Sequence, residues 1–164
     1  MTGTKIDATD ADFATAVLEA SKERPVVVDF WATWCAPCRA LGPILEKVAQ
    51  ERGGAFLLAK VDTDANPMVA GQLGVQSIPT VVAFRDGRPV DGFVGALPEA
   101  QVNAFIDRLL PTAGDVAASD AAAEAEAGDV EGAEARYREV LAGEPGNRAA
   151  RLGLAHLPIG RAHV

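Results

Sequence analysis

The chain has 164 residues, 49% of them hydrophobic and 23% charged, a composition that excludes wholesale disorder and accommodates one domain with a short appendage. Lys and Arg number 15 against 23 Asp and Glu, a formal charge of −8 that repels phosphate and argues against nucleic-acid and anionic-membrane partners. The only two cysteines, Cys35 and Cys38, are too few for a disulfide scaffold, and their close spacing carries the reading.

The N-terminus, Met1 to Asp12, has Lys5 among Asp7, Asp10 and Asp12 and no apolar stretch behind it, so it does not read as a targeting signal. No apolar run approaches a membrane span. A cytoplasmic protein is the expectation.

Asp10 or Asp12 is expected to cap a helix running to Ala20, with Phe13, Val17 and Leu18 on one face. Pro25–Phe30 is short and β-branched and reads as a buried strand. A helix follows from Cys35 to about Gln50, with Leu41, Ile44, Leu45 and Val48 on one side and Pro43 as an internal kink. Gly53-Gly54 ends it. Ala55–Val61 is a second strand and Asn66–Gln72 a short helix. Thr80–Phe84 and Pro89–Phe93 flank Arg85-Asp86-Gly87-Arg88, a hairpin signal. Glu99–Leu110 closes this part as a helix, with Val102, Phe105, Ile106 and Leu109 inward. Strands interleaved with helices argue for a mixed α/β sheet covered on both faces.

Composition changes near Pro111-Thr112-Ala113-Gly114. All six Phe and both Trp precede it, and Tyr137 is the only aromatic after it. Charge does not separate the parts, since residues 1–110 hold 10 basic and 14 acidic residues and residues 111–164 hold 5 and 9, or −4 each. The expected division is a domain over 1–110, a linker over 111–116, a helical segment over 117–157 and an irregular tail over 158–164.

Phe30-Trp31-Ala32-Thr33-Trp34-Cys35-Ala36-Pro37-Cys38-Arg39 lies between a buried strand and a helix start. Cys35 therefore falls at or near a helix N-terminus, where unpaired N–H groups and the helix dipole stabilise a thiolate. Cys38 sits one turn further in and can attack a mixed disulfide formed on Cys35. Pro37 is tolerated there because the N–H it lacks would be unpaired anyway. Two other readings stand beside redox chemistry. Half a zinc site would need two more ligands, and the only histidines, His156 and His163, lie 118 or more residues beyond Cys38. A pair of inert core cysteines is the other.

With Asp29 before this stretch and Ile78-Pro79-Thr80 after it, the sequence resembles the thioredoxin family over roughly Ile6 to Leu110. The elements that carry the likeness recur in order: Val28-Asp29-Phe30-Trp31, Cys35-Ala36-Pro37-Cys38, Pro43, Ala59-Lys60-Val61-Asp62, Ile78-Pro79-Thr80, Phe84-Arg85-Asp86-Gly87 and Val94-Gly95-Ala96. The resemblance implies a thioredoxin fold and a redox-active Cys35–Cys38 disulfide with no other cofactor and no metal. It implies Cys35 as nucleophile, Cys38 as resolving cysteine, Asp29 as a buried carboxylate that moves the resolving thiol's proton, and Lys60 as that carboxylate's partner. A carboxylate on an apolar strand should indeed titrate unusually high. Trp31 and Trp34 would wall the site, together with Ala36 and Pro37. Pro79 would be a cis-proline shaping a groove in which Ile78, Thr80, Gly95 and Ala96 meet an extended substrate strand. Ala36 stands where the family most often has Gly, which bears on the reduction potential and not on the reaction. Protein disulfides are the implied targets and a thioredoxin-reductase-type donor the implied source of electrons.

Beyond the boundary, Ala121–Ala127, Gly128-Asp129, Val130–Leu141 and Glu144–Asn147 read as helix, turn, helix, turn. This resembles one tetratricopeptide repeat, with Ala133, Tyr137 and Pro145 at its small, aromatic and terminating positions. Leu154 and Ala155 fit the start of a second repeat, which Pro158 interrupts. One repeat does not bury its own apolar face, and the tail reads as a truncated or foreign ending. A thioredoxin domain followed by such repeats is similar to the bacterial chaperedoxins, which hold unfolding clients, protect their cysteines as mixed disulfides and pass them to chaperones. The functions to weigh are a thiol–disulfide oxidoreductase, a chaperedoxin holdase with a chaperone partner, and an interaction-only scaffold, which the retained Asp29 and cysteine pair disfavour.

Overall fold

The computed structural model describes residues 3–158. Five strands, β1 (Lys5–Asp7), β2 (Val26–Trp31), β3 (Leu57–Asp62), β4 (Thr80–Arg85) and β5 (Arg88–Val94), form one sheet in the order β1-β3-β2-β4-β5. β1, β3 and β2 run parallel, and β4 and β5 are antiparallel to their neighbours. The β-branched β2 takes the centre, where both faces of a strand are buried and a continuous apolar run is favoured over alternation.

Three helices, α1 (Ala36–Glu51), α2 (Pro67–Gln72) and α3 (Glu99–Leu109), cover the two faces. On one face Val27, Leu58, Val81 and Ala83 pack against Leu41, Leu45 and Val48 of α1 and Val102, Phe105 and Ile106 of α3. On the other, Val26, Val28, Phe30, Ala59 and Phe84 meet Phe13 and Val17 from the N-terminal segment and Val69 and Ala70 from α2. Each fully buried Val, Leu, Ile or Phe among them contributes about 1.5–3 kcal/mol of transfer free energy. Asp86-Gly87 makes the hairpin turn with φ of 55° and 80°, the left-handed conformation a two-residue hairpin loop needs and glycine adopts without strain. Its tip is held by Ser21, whose carbonyl accepts from Asp86 N–H and whose hydroxyl accepts from Gly87 N–H.

The N-terminal helix differs from expectation. Residues Ala14–Glu19 form a wide π-helical segment that tightens into a 3₁₀ turn at Ala20–Lys22, and no side chain caps its start. Asp12 closes a local turn with Thr9. Asp10 instead accepts from the backbone N–H groups of Met68 and Val69, at 3.2 and 2.8 Å. It caps α2, a helix 57 residues further along by its first residue, because those N–H groups have no partner within their own helix. The short strand β1 was not anticipated; three residues carry too little periodicity, and pairing with β3 defines it. α1 continues through Pro43 to Glu51.

The chain divides into two compact units, residues 1–110 and 111–164. In the second, α4 (Ala113–Glu126), α5 (Val130–Gly143) and α6 (Arg148–His156) pack around Ala118, Ala121, Ala133, Tyr137, Val140 and Ala150. The linker expected over 111–116 shortens to Pro111 and Thr112, since a capping box between Thr112 and Asp115 starts α4 at Ala113. A third helix also begins earlier than the Leu154-Ala155 signal suggested, because Asn147 caps it by accepting from Ala150 N–H at 2.8 Å. Of the tail expected over 158–164, residues 159–164 lie outside the described residues. No helix among the described residues is long and apolar enough to cross a membrane.

Tyr137 of α5 lies against Gly153 of α6 so closely that a Cβ on Gly153 would overlap the Tyr137 ring. Glycine in a helix ordinarily costs about 1 kcal/mol relative to alanine, so Gly→Ala should stabilise an open site. Here the buried ring cannot retreat freely, and overpacking costs of about 1–3 kcal/mol reverse the sign. Gly153→Ala is therefore expected to destabilise the helical unit, seen as faster amide hydrogen exchange in α5 and α6, with disulfide exchange at Cys35 unchanged.

Candidate active site

β2 ends at Trp31, the chain turns through Ala32–Trp34, and α1 begins at Ala36. Cys35 is the N-cap residue of α1, with extended backbone at φ −89° and ψ 108°. Its Sγ accepts the backbone N–H of Cys38 at 3.2 Å, which occupies one of the free donors of the first turn. An anionic sulfur in that place gains from both the N–H and the helix dipole. Pro37 stands in the first turn, where its missing N–H costs nothing. Cys35 and Cys38 are joined in a disulfide with Cα atoms 5.3 Å apart, and both residues are only 4% exposed. One turn of helix separates the sulfur that sits on the free N–H groups from the sulfur behind it.

The pair packs with Ala32, Trp31 and Ile78. The Ile78–Pro79 peptide bond is cis, and Pro79 is buried. The Pro79 carbonyl accepts from Gly95 N–H at 2.8 Å, so the loop after β5 is tied beside the start of β4. Ala36, Pro37 and Ala96 are exposed, and Thr80 and Gly95 are half-buried. Trp34 is 67% exposed and donates through Nε1 to Asp64 at 2.9 Å. It lines an open groove of about 410 Å³ with Thr63, Ala70, Val75, Gln76, Ser77 and Ile78. Ile78 touches both the groove and the cysteines.

Asp29 lies on β2 in direct register with Lys60 on β3. The residue is 1% exposed, and neither carboxylate oxygen has a hydrogen-bond partner. Burial raises its pKa to about 6, with Lys60 opposing the rise and Glu46 adding to it. Lys60, expected as the partner of Asp29, acts on it by charge and makes no hydrogen bond to it. Its ammonium pairs with Glu46 of α1 at 3.1 Å and lies 5.3 Å from the Trp31 ring centroid. The Trp31 Nε1–H is buried without a partner.

Glu46 and Asp64 are the site residues that sequence reasoning missed. Glu46 stands one turn after Gly42, the two bracketing the Lys60 ammonium, and a glycine–carboxylate pair at helical spacing beside the apolar stripe was the available signal. Asp64 carries no signal, since its contact with Trp34 spans 30 residues.

The raised pKa of Asp29 means the folded protein holds a proton that the unfolded chain has released between about pH 4 and pH 6. The contribution of Asp29 to folding stability in the disulfide form is therefore fullest below the ordinary carboxylate pKa and is lost as pH rises through about 6. The expected loss is about 3 kcal/mol from the difference between 3.8 and about 6. Urea unfolding across this range should show that loss as a difference in pH slope between the wild type and Asp29→Asn.

The sequence matches the family profile for thioredoxin over residues 4–108. It is 45% identical over 105 residues to a thioredoxin of Chlorobaculum thiosulfatiphilum, covering 64% of this chain and 95% of that one. It is 47% identical over 106 residues to a thioredoxin of Mycobacterium tuberculosis, covering 65% and 90%. A bifunctional thioredoxin reductase/thioredoxin of Mycobacterium leprae is 43% identical over 109 residues, covering 66% of this chain and 23% of that one. With the sheet order, the Cys35–Cys38 redox disulfide and these matches in agreement, the chain belongs to the thioredoxin family and is a thiol–disulfide oxidoreductase that works by dithiol–disulfide exchange, its own disulfide serving in place of any cofactor.

Proposed function

We propose that the protein reduces disulfides of other proteins, with Cys35 as nucleophile, Cys38 as resolving cysteine and Asp29 as the group that takes the Cys38 proton. The observation that carries this reading is the Cys35 sulfur on the free N–H groups of α1, with Cys38 one turn behind it. The Cys35 thiolate attacks one sulfur of the substrate disulfide, and the other substrate sulfur leaves as a thiolate that takes up a proton. Cys38, deprotonated, then attacks Cys35 Sγ. The Cys35–Cys38 bond forms, the second substrate sulfur leaves as a thiolate that takes up a proton, and two electrons and two protons have passed to the substrate. Asp29 suits the proton step because its pKa of about 6 lets it change charge near neutral pH.

The groove walled by Trp34 and Ile78 would offer an extended substrate segment apolar contact beside the sulfurs, and backbone groups of Thr80, Gly95 and Ala96, near the Pro79–Gly95 hydrogen bond, would pair with it. Broad tolerance follows, because backbone hydrogen bonds carry little side-chain selectivity. Lys60 moderates Asp29 by charge. Electrons would come from a thioredoxin reductase, a partner that the fused relative carries in its own name. A reducing compartment such as the cytoplasm suits the direction of transfer.

A client-holding role is a second reading, favoured by the helical unit. Tyr137 and Ala133, the residues read as the aromatic and small positions of a tetratricopeptide repeat, are buried, and Val116 and Leu152 expose apolar surface at 54% and 48%. On this reading the protein is similar to chaperedoxins, with the helices recruiting unfolding clients or a chaperone.

Insulin disulfides should be reduced by the wild type and not by Cys35→Ser, followed by turbidity. Cys38→Ser should accumulate a mixed disulfide on Cys35, and Asp29→Asn should resolve such an adduct about 100-fold more slowly at neutral pH. Turnover by Cys35→Ser would remove the assignment of the nucleophile. For the second reading, Val116→Asp/Leu152→Asp should lose suppression of aggregation of a heat-unfolded client while keeping insulin reduction. Equal suppression by that variant would remove those exposed apolar side chains from the account.

A further inference from the structure

We propose that Glu46 is a positioning residue that anchors the Lys60 ammonium away from Asp29, leaving the buried carboxylate without a direct partner. Asp29 and Lys60 are register neighbours on adjacent parallel strands and share the face covered by α1. Strands lie about 4.8 Å apart, and opposite charges so placed ordinarily pair. They do not pair here. Both Asp29 oxygens are unbonded, and the Lys60 ammonium is given to Glu46 Oε2 at 3.1 Å. The other oxygen of Glu46 is taken by Lys5 at 2.9 Å, so one carboxylate ties β1, α1 and β3 together.

Solvation favours this arrangement over the direct pair. The Glu46 side chain is 33% exposed and that of Lys60 18%, so their charges keep part of their hydration, whereas reaching Asp29 would take the ammonium into a site with none. The charged groups facing Asp29 are few. β3 contributes Lys60, α1 contributes Glu46 and carries the disulfide at its start, and β4 places the apolar Val81 opposite. Lys5 of β1 reaches Glu46 and not Asp29.

Lys60 and Glu46 act on Asp29 in opposite directions, so loss of Glu46 has two effects of one sign. It removes a nearby negative charge, and it frees Lys60 to swing toward Asp29. Only the second is positioning, and only the second requires Lys60. The meaning for catalysis rests on the proton-transfer role proposed for Asp29, but the anchoring does not.

The test is a carbon-13 NMR titration of the Asp29 carboxyl in the disulfide form of the full chain. In Glu46→Gln the midpoint should fall from about 6 by roughly one pH unit. In the Lys60→Met background the same substitution should move it clearly less, and Glu46→Asp should restore most of the wild-type value. The acid limb of mixed-disulfide resolution should move with the midpoint. No fall in Glu46→Gln, or an equal fall with and without Lys60, would overturn the anchoring. Asp29→Asn resolving mixed disulfides at the wild-type rate would overturn the proton-transfer role alone, and the titration would still decide the positioning.

Discussion

The buried central strand β2 is the constraint on which the first unit depends. Val26–Phe30 are withdrawn from solvent on both faces, and that burial fixes where the strand ends. At its end the chain must turn and begin α1, and Cys35 takes the N-cap because it is the last residue with extended backbone. A shift of the junction by one residue would bring a different side chain onto the free N–H groups. The placement of the sulfur therefore follows from the packing of valines a dozen residues upstream or fewer, a structural cause with a chemical effect.

The same burial imposes a cost. β2 carries a carboxylate into the core, where an isolated charge is unfavourable and no hydrogen bond offsets it. The fold tolerates Asp29 because it can take a proton, and that tolerance is also what suits it to the proton transfer proposed for it. Strain on stability and fitness for chemistry have one origin here, which is desolvation. The neighbouring charges refine this only modestly, since Lys60 and Glu46 oppose each other at Asp29 while bonding to one another.

The helical unit holds together by a different route. Its core is mostly alanine, so close approach of helices does what large side chains do in the first unit. Tyr137 supplies the one large ring, and Gly153 makes the space for it. Polar caps at Thr112, Asp129 and Asn147 set the helix starts, each by accepting a backbone N–H three residues on. Three short helices thus share a core that one helical pair could not enclose.

From the sequence alone, the valine run defined β2, the Asp86-Gly87 pair defined the hairpin, and Cys35 through Cys38 placed a reactive sulfur at a helix start. These follow from local rules, because side-chain branching, turn conformation and free N–H groups act within a few residues of chain. What needed the tertiary structure was every pairing between distant residues. Asp10 caps α2 across 59 residues to Val69, Lys60 turns from Asp29 to Glu46, and Trp34 finds Asp64. The reason is physical: a charged or polar side chain takes the partner that satisfies it at the least loss of hydration, and which partners come within reach is decided by packing. The sequence determined which atoms could react, and the fold decided which charges would stand beside them.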